Sequence, residues 1–190
     1  MGLRLDRRLQ RCVIPSLAFP HATSTLSQTA YSPIMSDLQC PATMLIARHG
    51  DADQVRVLVE QVRPRRVAAV YSSRMDRAVE SAELAASELG VRSAEVDGLQ
   101  ESSGELAVAV LTRFTKAIEG IADVHRGETV LVFAHSGAMS LVIPRLSVNM
   151  RNDVAAQRFL SNCAVAEVEV DADGWRLVSW PGRLTISEQA

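Results

Sequence analysis

The chain is short of cysteine and aromatics, has almost no net charge, and has no long hydrophobic run. Its cysteines, Cys12, Cys40 and Cys163, are odd in number and far apart, so they indicate neither a disulfide framework nor the close spacing of a zinc knuckle. A formal net charge of −2 argues against a nucleic-acid surface, although local pairs such as Arg65-Arg66 can still meet a small anion. No segment approaches the roughly 20 apolar residues that cross a bilayer, so no membrane partner is expected. What is present, 47% hydrophobic and 22% charged residues in 190, is the balance of one ordinary globular domain in a reducing cytoplasm.

Residues 1–40 differ from the rest. They are basic at Arg4, Arg7, Arg8 and Arg11, then rich in Ser and Thr, with Pro15, Pro20 and Pro33 interspersed. This composition predicts a disordered extension ahead of a domain over 41–185 and a short tail at 186–190. Pro15 breaks the apolar stretch from Cys12 to Phe19, and no small-residue cleavage site follows, which argues against a signal peptide. Met35 is a second plausible start.

From Thr43 short apolar runs alternate with helical patterns, predicting an α/β domain: a mostly parallel central sheet with helices on both faces. Strands are expected at Thr43 to Ala47, Arg66 to Tyr71, Ser93 to Val96 and Thr129 to Ala134, and a closing hairpin at Ala164 to Val170 and Trp175 to Ser179. Helices are expected from Asp51 to Val62, from Ser73 with Asp76 as a capping box and Gly90 as stop, from Glu105 to Val124, and from Ser136 or Gly137.

In such sheets ligands bind beyond the carboxyl ends of the strands. Those ends deliver Arg48-His49-Gly50, Ser72-Ser73-Arg74-Met75-Asp76-Arg77 and His135-Ser136-Gly137, so two histidines and several arginines meet on one rim. A phosphoryl group in transfer spreads negative charge over its oxygens, which guanidinium forks and imidazoles stabilise. Arg48 and Arg77 suit that clamp. Near a helix start the charge of Arg77 opposes the macrodipole, a placement that favours a bound anion. A neutral imidazole at His49 is nucleophilic enough to accept the group. The leaving alkoxide needs a proton, for which Glu101 in the Gly98-Leu99-Gln100-Glu101 loop is a candidate, with Asp51 and Glu105 as rivals.

These residues resemble the histidine phosphatase superfamily, the phosphoglycerate-mutase-like group. Arg48-His49-Gly50 matches its RHG signature, Tyr71 to Ala78 its second-arginine motif, and Val132-Phe133-Ala134-His135 its second-histidine strand, in the right order. The resemblance implies a three-layer sandwich and a hydrolase of the histidine acid phosphatase type with no metal or organic cofactor. It implies His49 as the phosphorylated nucleophile, Arg48, Arg77 and His135 around the phosphate, and Glu101 as proton donor, since Leu99-Gln100-Glu101 resembles Leu-Arg-Glu. Arg74 is the weaker rival to Arg77, because the family's arginine directly precedes the small residue that Ala78 supplies.

The chain also departs from the family pattern. The long loop usual after RHG is missing, leaving Asp51 and Asp53 to favour a helix N-terminus, and Ser136 replaces a glycine where its hydroxyl suits a helix cap. The stretch from Glu101 to His135 leaves little for a cap over substrate, which suits a phosphatase better than a mutase, since a mutase must keep water from its intermediate. The expected substrate is a small phosphorylated molecule or a phosphoprotein. Two other readings are a phosphate-binding module without turnover, and a metal-dependent hydrolase using His49, Asp51, Asp53 and His135.

Overall fold

A computed structural model describes residues 40–149 and 160–181. Of the extension predicted over residues 1–40, residues 1–39 lie outside the described residues, as does the tail at 186–190.

Strand β1 (Ala42–Arg48) alternates strictly: Met44 and Ile46 face one core, Leu45 and Ala47 the other. Strand β4 (Thr129–Ala134) does the same, sending Val130 and Val132 to the first core and Leu131 and Phe133 to the second. Strands with both sides buried need helices on both faces. Helices α1 (Ala52–Val62) and α2 (Asp76–Leu89) cover one face, and α3 (Ala107–Val124) and α4 (Ser136–Leu146) the other. In α3 the stripe Val110, Phe114, Ala117, Ile118 and Ile121 recurs at helical spacing, and completely buried Phe114 contributes roughly 2–3 kcal/mol.

With β2 (Ala69–Ser72), β3 (Ser93–Glu95), β5 (Val165–Asp171) and β6 (Gly174–Ser179), the sheet order is β3-β2-β4-β1-β5-β6. The first four strands run parallel, and β5 and β6 add an antiparallel edge, closed by the predicted hairpin at Gly174. The expected mostly parallel three-layer architecture is the observed one.

The starts of β2 and α2 and the cap of α4 differ from expectation, while α4 itself starts at Ser136 as expected. Arg66 takes a left-handed backbone, φ 52, after a short 3-10 turn over Arg63–Arg65, so β2 starts at Ala69 rather than Arg66. Helix α2 starts at Asp76 with Met75 as an N-cap that lacks a side-chain bond, so Ser73 does not build the predicted capping box. Ser136 does not cap α4 either. His135 holds that position, again with no side-chain cap bond.

Register positions the site. Arg48 pairs with Ala134 and Ser72 with Phe133, so β1, β4 and β2 end level with one another. The chain then leaves them side by side, with the His49 amide on the Ala134 carbonyl at 3.2 Å and the Ser73 amide on the Phe133 carbonyl at 3.1 Å.

Candidate active site

The two predicted histidines meet at that rim. The His49 and His135 ring centroids lie 5.1 Å apart, tilted by 58°. His135 is almost wholly buried, at 4% exposure, whereas His49 is half-buried and open to a ligand. Behind them stands Ser73, completely buried, with its hydroxyl 2.6 Å from Nε2 of His135. The neighbouring Gly50 has a steric reason to be glycine: a Cβ there would lie 2.5 Å from Sγ of Cys163 and 3.0 Å from Oε1 of Gln54. Its amide donates to Oγ of Ser81 at 3.2 Å, and that hydroxyl lies within hydrogen-bonding distance of the carbonyls of Gly50 and Arg77, at 3.1 and 2.8 Å. One serine thus ties the His49-Gly50 loop to the first turn of α2, where Arg77 sits.

The arginines separate by partner. Arg48 is half-buried and gives one arm to the Leu160 carbonyl at 2.5 Å. Arg74 pairs with Asp97 at 3.0 Å on the exposed surface. Arg77 is exposed, has no side-chain partner among the described residues, and is close enough to depress the His49 pKa. Of the two candidate arginines, only Arg77 acts on the histidine.

Glu101 is seated rather than loose. Its Oε1 accepts from the Ala138 and Ser102 amides, both at 3.0 Å, and its Oε2 from the Gly137 amide at 3.1 Å. The carboxylate therefore satisfies the free N–H groups at the start of α4, where the macrodipole favours an anion. Gly137 is what admits it, since a Cβ would fall 2.3 Å from Oε1. From behind, Arg113 clamps the loop through the carbonyls of Gly98 and Gln100, at 2.6 and 2.8 Å, and of Glu101 at 3.3 Å. The rival carboxylates are committed elsewhere. Glu105 pairs with Arg113 at 2.6 Å, and Asp51 caps α1 by accepting from Gln54 N.

The electrostatics favour neutral imidazoles. Burial lowers the His49 pKa below its ordinary 6.5, Arg48 and Arg77 lower it further, and Glu101 partly opposes them. His135 falls to about 4, mainly through burial and then through His49, Arg48 and Arg113, again against Glu101. Both rings are uncharged near pH 7, so each has a lone pair and one N–H. The Cys163 thiol is pushed up to about 11 by burial and by Asp51, which keeps it an uncharged packing group.

A sequence profile of the histidine phosphatase superfamily (branch 1) matches residues 48–106 and 100–182. The chain belongs to this superfamily. No curated protein matches its sequence. Solved structures resemble it in fold: YhfR from Bacillus stearothermophilus has a TM-score of 0.63 at 18% identity, covering 76% of this chain and 98% of its own. A phosphoserine phosphatase variant from Entamoeba histolytica, determined with phosphoserine, has 0.61 at 13%, covering 74% and 97%. A mycobacterial glucosyl-3-phosphoglycerate phosphatase has 0.60 at 15%, covering 76% and 100%. At these identities the likeness carries the phosphoglycerate-mutase-like fold.

As a histidine phosphatase superfamily member, the chain brings its RHG histidine, second histidine, both arginines and Glu101 to one end of the sheet. Among the described residues, no helix other than α3 falls between the Glu101 loop and β4. A groove of about 700 Å³ runs beside Gly98 and Gln100, lined by Tyr71, Val96, Lys116 and Ile121. Among the described residues no group of three or more His, Cys, Asp or Glu side chains is placed to hold a metal ion, and no helix is long and apolar enough to cross a membrane. Sequence reasoning missed Ser73, Ser81, Arg113 and Cys163, which act through packing and long-range hydrogen bonds that have no local pattern. Only Ser73 carried a signal, by adjoining the arginine motif at a strand end.

Proposed function

We propose that the chain is a phosphomonoester hydrolase that passes the phosphoryl group through His49. One observation carries this reading: a neutral, half-buried imidazole lies 5.1 Å from a second neutral imidazole, at a rim that also holds two arginines. A substrate phosphate between the rings meets Arg48, Arg77 and His135 as donors while the lone pair of His49 attacks phosphorus. Charge on the equatorial oxygens is met by groups already in place, the main source of catalysis in phosphoryl transfer.

Glu101 serves as proton donor from its seat on α4. Oε1 is shared by two amides and Oε2 receives one, so Oε2 has the free lone-pair position to carry the proton. It protonates the leaving alkoxide as the P–O bond breaks, then takes a proton from the water that attacks the phosphohistidine. The result is a free alcohol, inorganic phosphate and regenerated His49. Hydrolysis is favoured over transfer to a second hydroxyl, because among the described residues the stretch from Glu101 to His135 holds only α3 and leaves little to keep water from the intermediate. The named phosphatases of like fold support a small phosphorylated substrate, with a phosphoprotein as the other candidate. A cytoplasmic setting and the absence of cofactor, nucleic-acid and membrane partners belong to the same reading.

A second reading, a phosphate-binding module without turnover, draws on one feature: Arg48 spends an arm on Leu160 and Arg77 is unanchored, which leaves the clamp loose. Hydrolysis of p-nitrophenyl phosphate distinguishes the two. Turnover that survives EDTA and yields to vanadate supports the hydrolase. Phosphate binding with no turnover supports the module, and activity restored only by a divalent metal overturns both.

A further inference from the structure

Ser73 is spent on neither helix capping nor solvent. Its hydroxyl is completely buried at the end of β2, 2.6 Å from Nε2 of His135, and its only other hydrogen bond among the described residues is from the Met75 amide, at 3.4 Å. A neutral imidazole joined to a hydroxyl through Nε2 has two arrangements. Either Nε2–H donates to Oγ and Nδ1 is a bare lone pair, or Ser73 O–H donates to Nε2 and Nδ1 has the hydrogen. Nδ1 of His135 has no hydrogen-bond partner among the described residues, yet it is not one of the fully buried atoms lacking a partner. It is therefore the ring atom left to a ligand. A lone pair there would repel a phosphate oxygen, and an N–H would bind it. Among the described residues the Ser73 O–H has no acceptor other than Nε2, so its hydrogen is best used toward His135.

We propose that Ser73 is a positioning residue that fixes the tautomer of His135: its hydroxyl donates to Nε2, so that Nδ1–H points to the phosphate as an uncharged donor. The fall of the His135 pKa to about 4 supports this, because a ring that stays neutral depends on its tautomer to be a donor. The inference rests on the phosphate-pocket reading above but not on turnover. Ser73 acts through His135 and does not itself touch substrate.

The test is long-range ¹H–¹⁵N NMR of ¹⁵N-histidine-labelled full-length protein near pH 7, with His135 assigned from the His135→Gln variant, together with titration of inorganic phosphate. The wild type should show the Nδ1–H form of His135. Ser73→Ala should lose that form and weaken phosphate binding about tenfold, whereas Ser73→Thr, which keeps the hydroxyl, should retain both. The wild-type spectrum decides even if Ser73→Ala does not fold, since an Nε2–H ring there overturns the proposal. So does phosphate binding by folded Ser73→Ala that stays within about twofold of wild type. A protein that binds phosphate through the Nδ1–H form but hydrolyses no ester refutes the phosphatase reading and leaves the role of Ser73 standing.

Discussion

Gly137→Ala tests whether the seat of Glu101 matters to the chemistry. The new Cβ would lie 2.3 Å from Oε1, 3.0 Å from Cδ and 3.3 Å from Oε2, closer than side chains tolerate. Because the clash is with the far end of a flexible side chain, the carboxylate leaves and the backbone stays. The α4 amides of Gly137 and Ala138 then lose charge-assisted bonds worth roughly 1.5–3 kcal/mol each, mostly returned by water at this half-open rim. Alanine in the helix returns up to about 1 kcal/mol more. The net cost to stability is thus small, about 1–2 kcal/mol, while the proton donor is unseated. General acid catalysis is worth about 10²–10⁴-fold, and an aryl ester with a good leaving group needs little of it. The assay is kcat/KM on an alkyl phosphomonoester and on p-nitrophenyl phosphate, with a thermal melt as control. The alkyl ester should slow by about 100-fold or more and the aryl ester only a few-fold, with Glu101→Gln repeating the pattern. Equal slowing of both esters, or full activity on both in a folded variant, would refute the assignment of Glu101.

The other predictions concern charge. Arg77 depresses the His49 pKa and Glu101 raises it, so Arg77→Ala should move the acid limb of kcat/KM to higher pH and Glu101→Gln to lower pH. Shifts of the same sign would contradict the geometry. Arg77→Ala should also cost about 10²-fold in kcat/KM, whereas Arg74→Ala, which breaks only the exposed pair with Asp97, should cost less than about twofold. Steady-state kinetics of both variants checks this, and a larger loss for Arg74 reverses the assignment. Folded His135 takes up its proton near pH 4 and the unfolded chain near 6.5, so stability is full above 6.5 and falls as pH drops from 6.5 to about 4. The loss is roughly 3 kcal/mol, measurable by denaturant titration, and His135→Gln should flatten that part of the profile. An equally steep profile in the variant would assign the loss to other groups.

The sequence foretold most of the layers, because β1 and β4 are apolar on both faces and their neighbours repeat at helical spacing. It foretold the rim for the same reason: in a parallel sheet, residues that follow strands gather at one end, so Arg48-His49 and His135 meet without any distance being known. What it missed lies where tertiary contact outweighs local propensity. Ser73, at the spacing of a capping box, turns instead to His135, sixty-two positions away. Helix α4, which looked ready for a cap from Ser136, takes Glu101 from a distant loop. The pull of Arg113 on that loop also left no local trace, since its acceptors are backbone carbonyls, which every sequence has.

The central claim is that His49 takes the phosphoryl group. Rapid quenching of the protein with a ³²P-labelled phosphomonoester, followed by peptide mapping, tests it directly. Acid-labile, base-stable label on the peptide containing His49, absent together with turnover in His49→Ala, is the predicted result. Turnover that persists in His49→Ala, or no label and no turnover in folded wild-type protein, would contradict it.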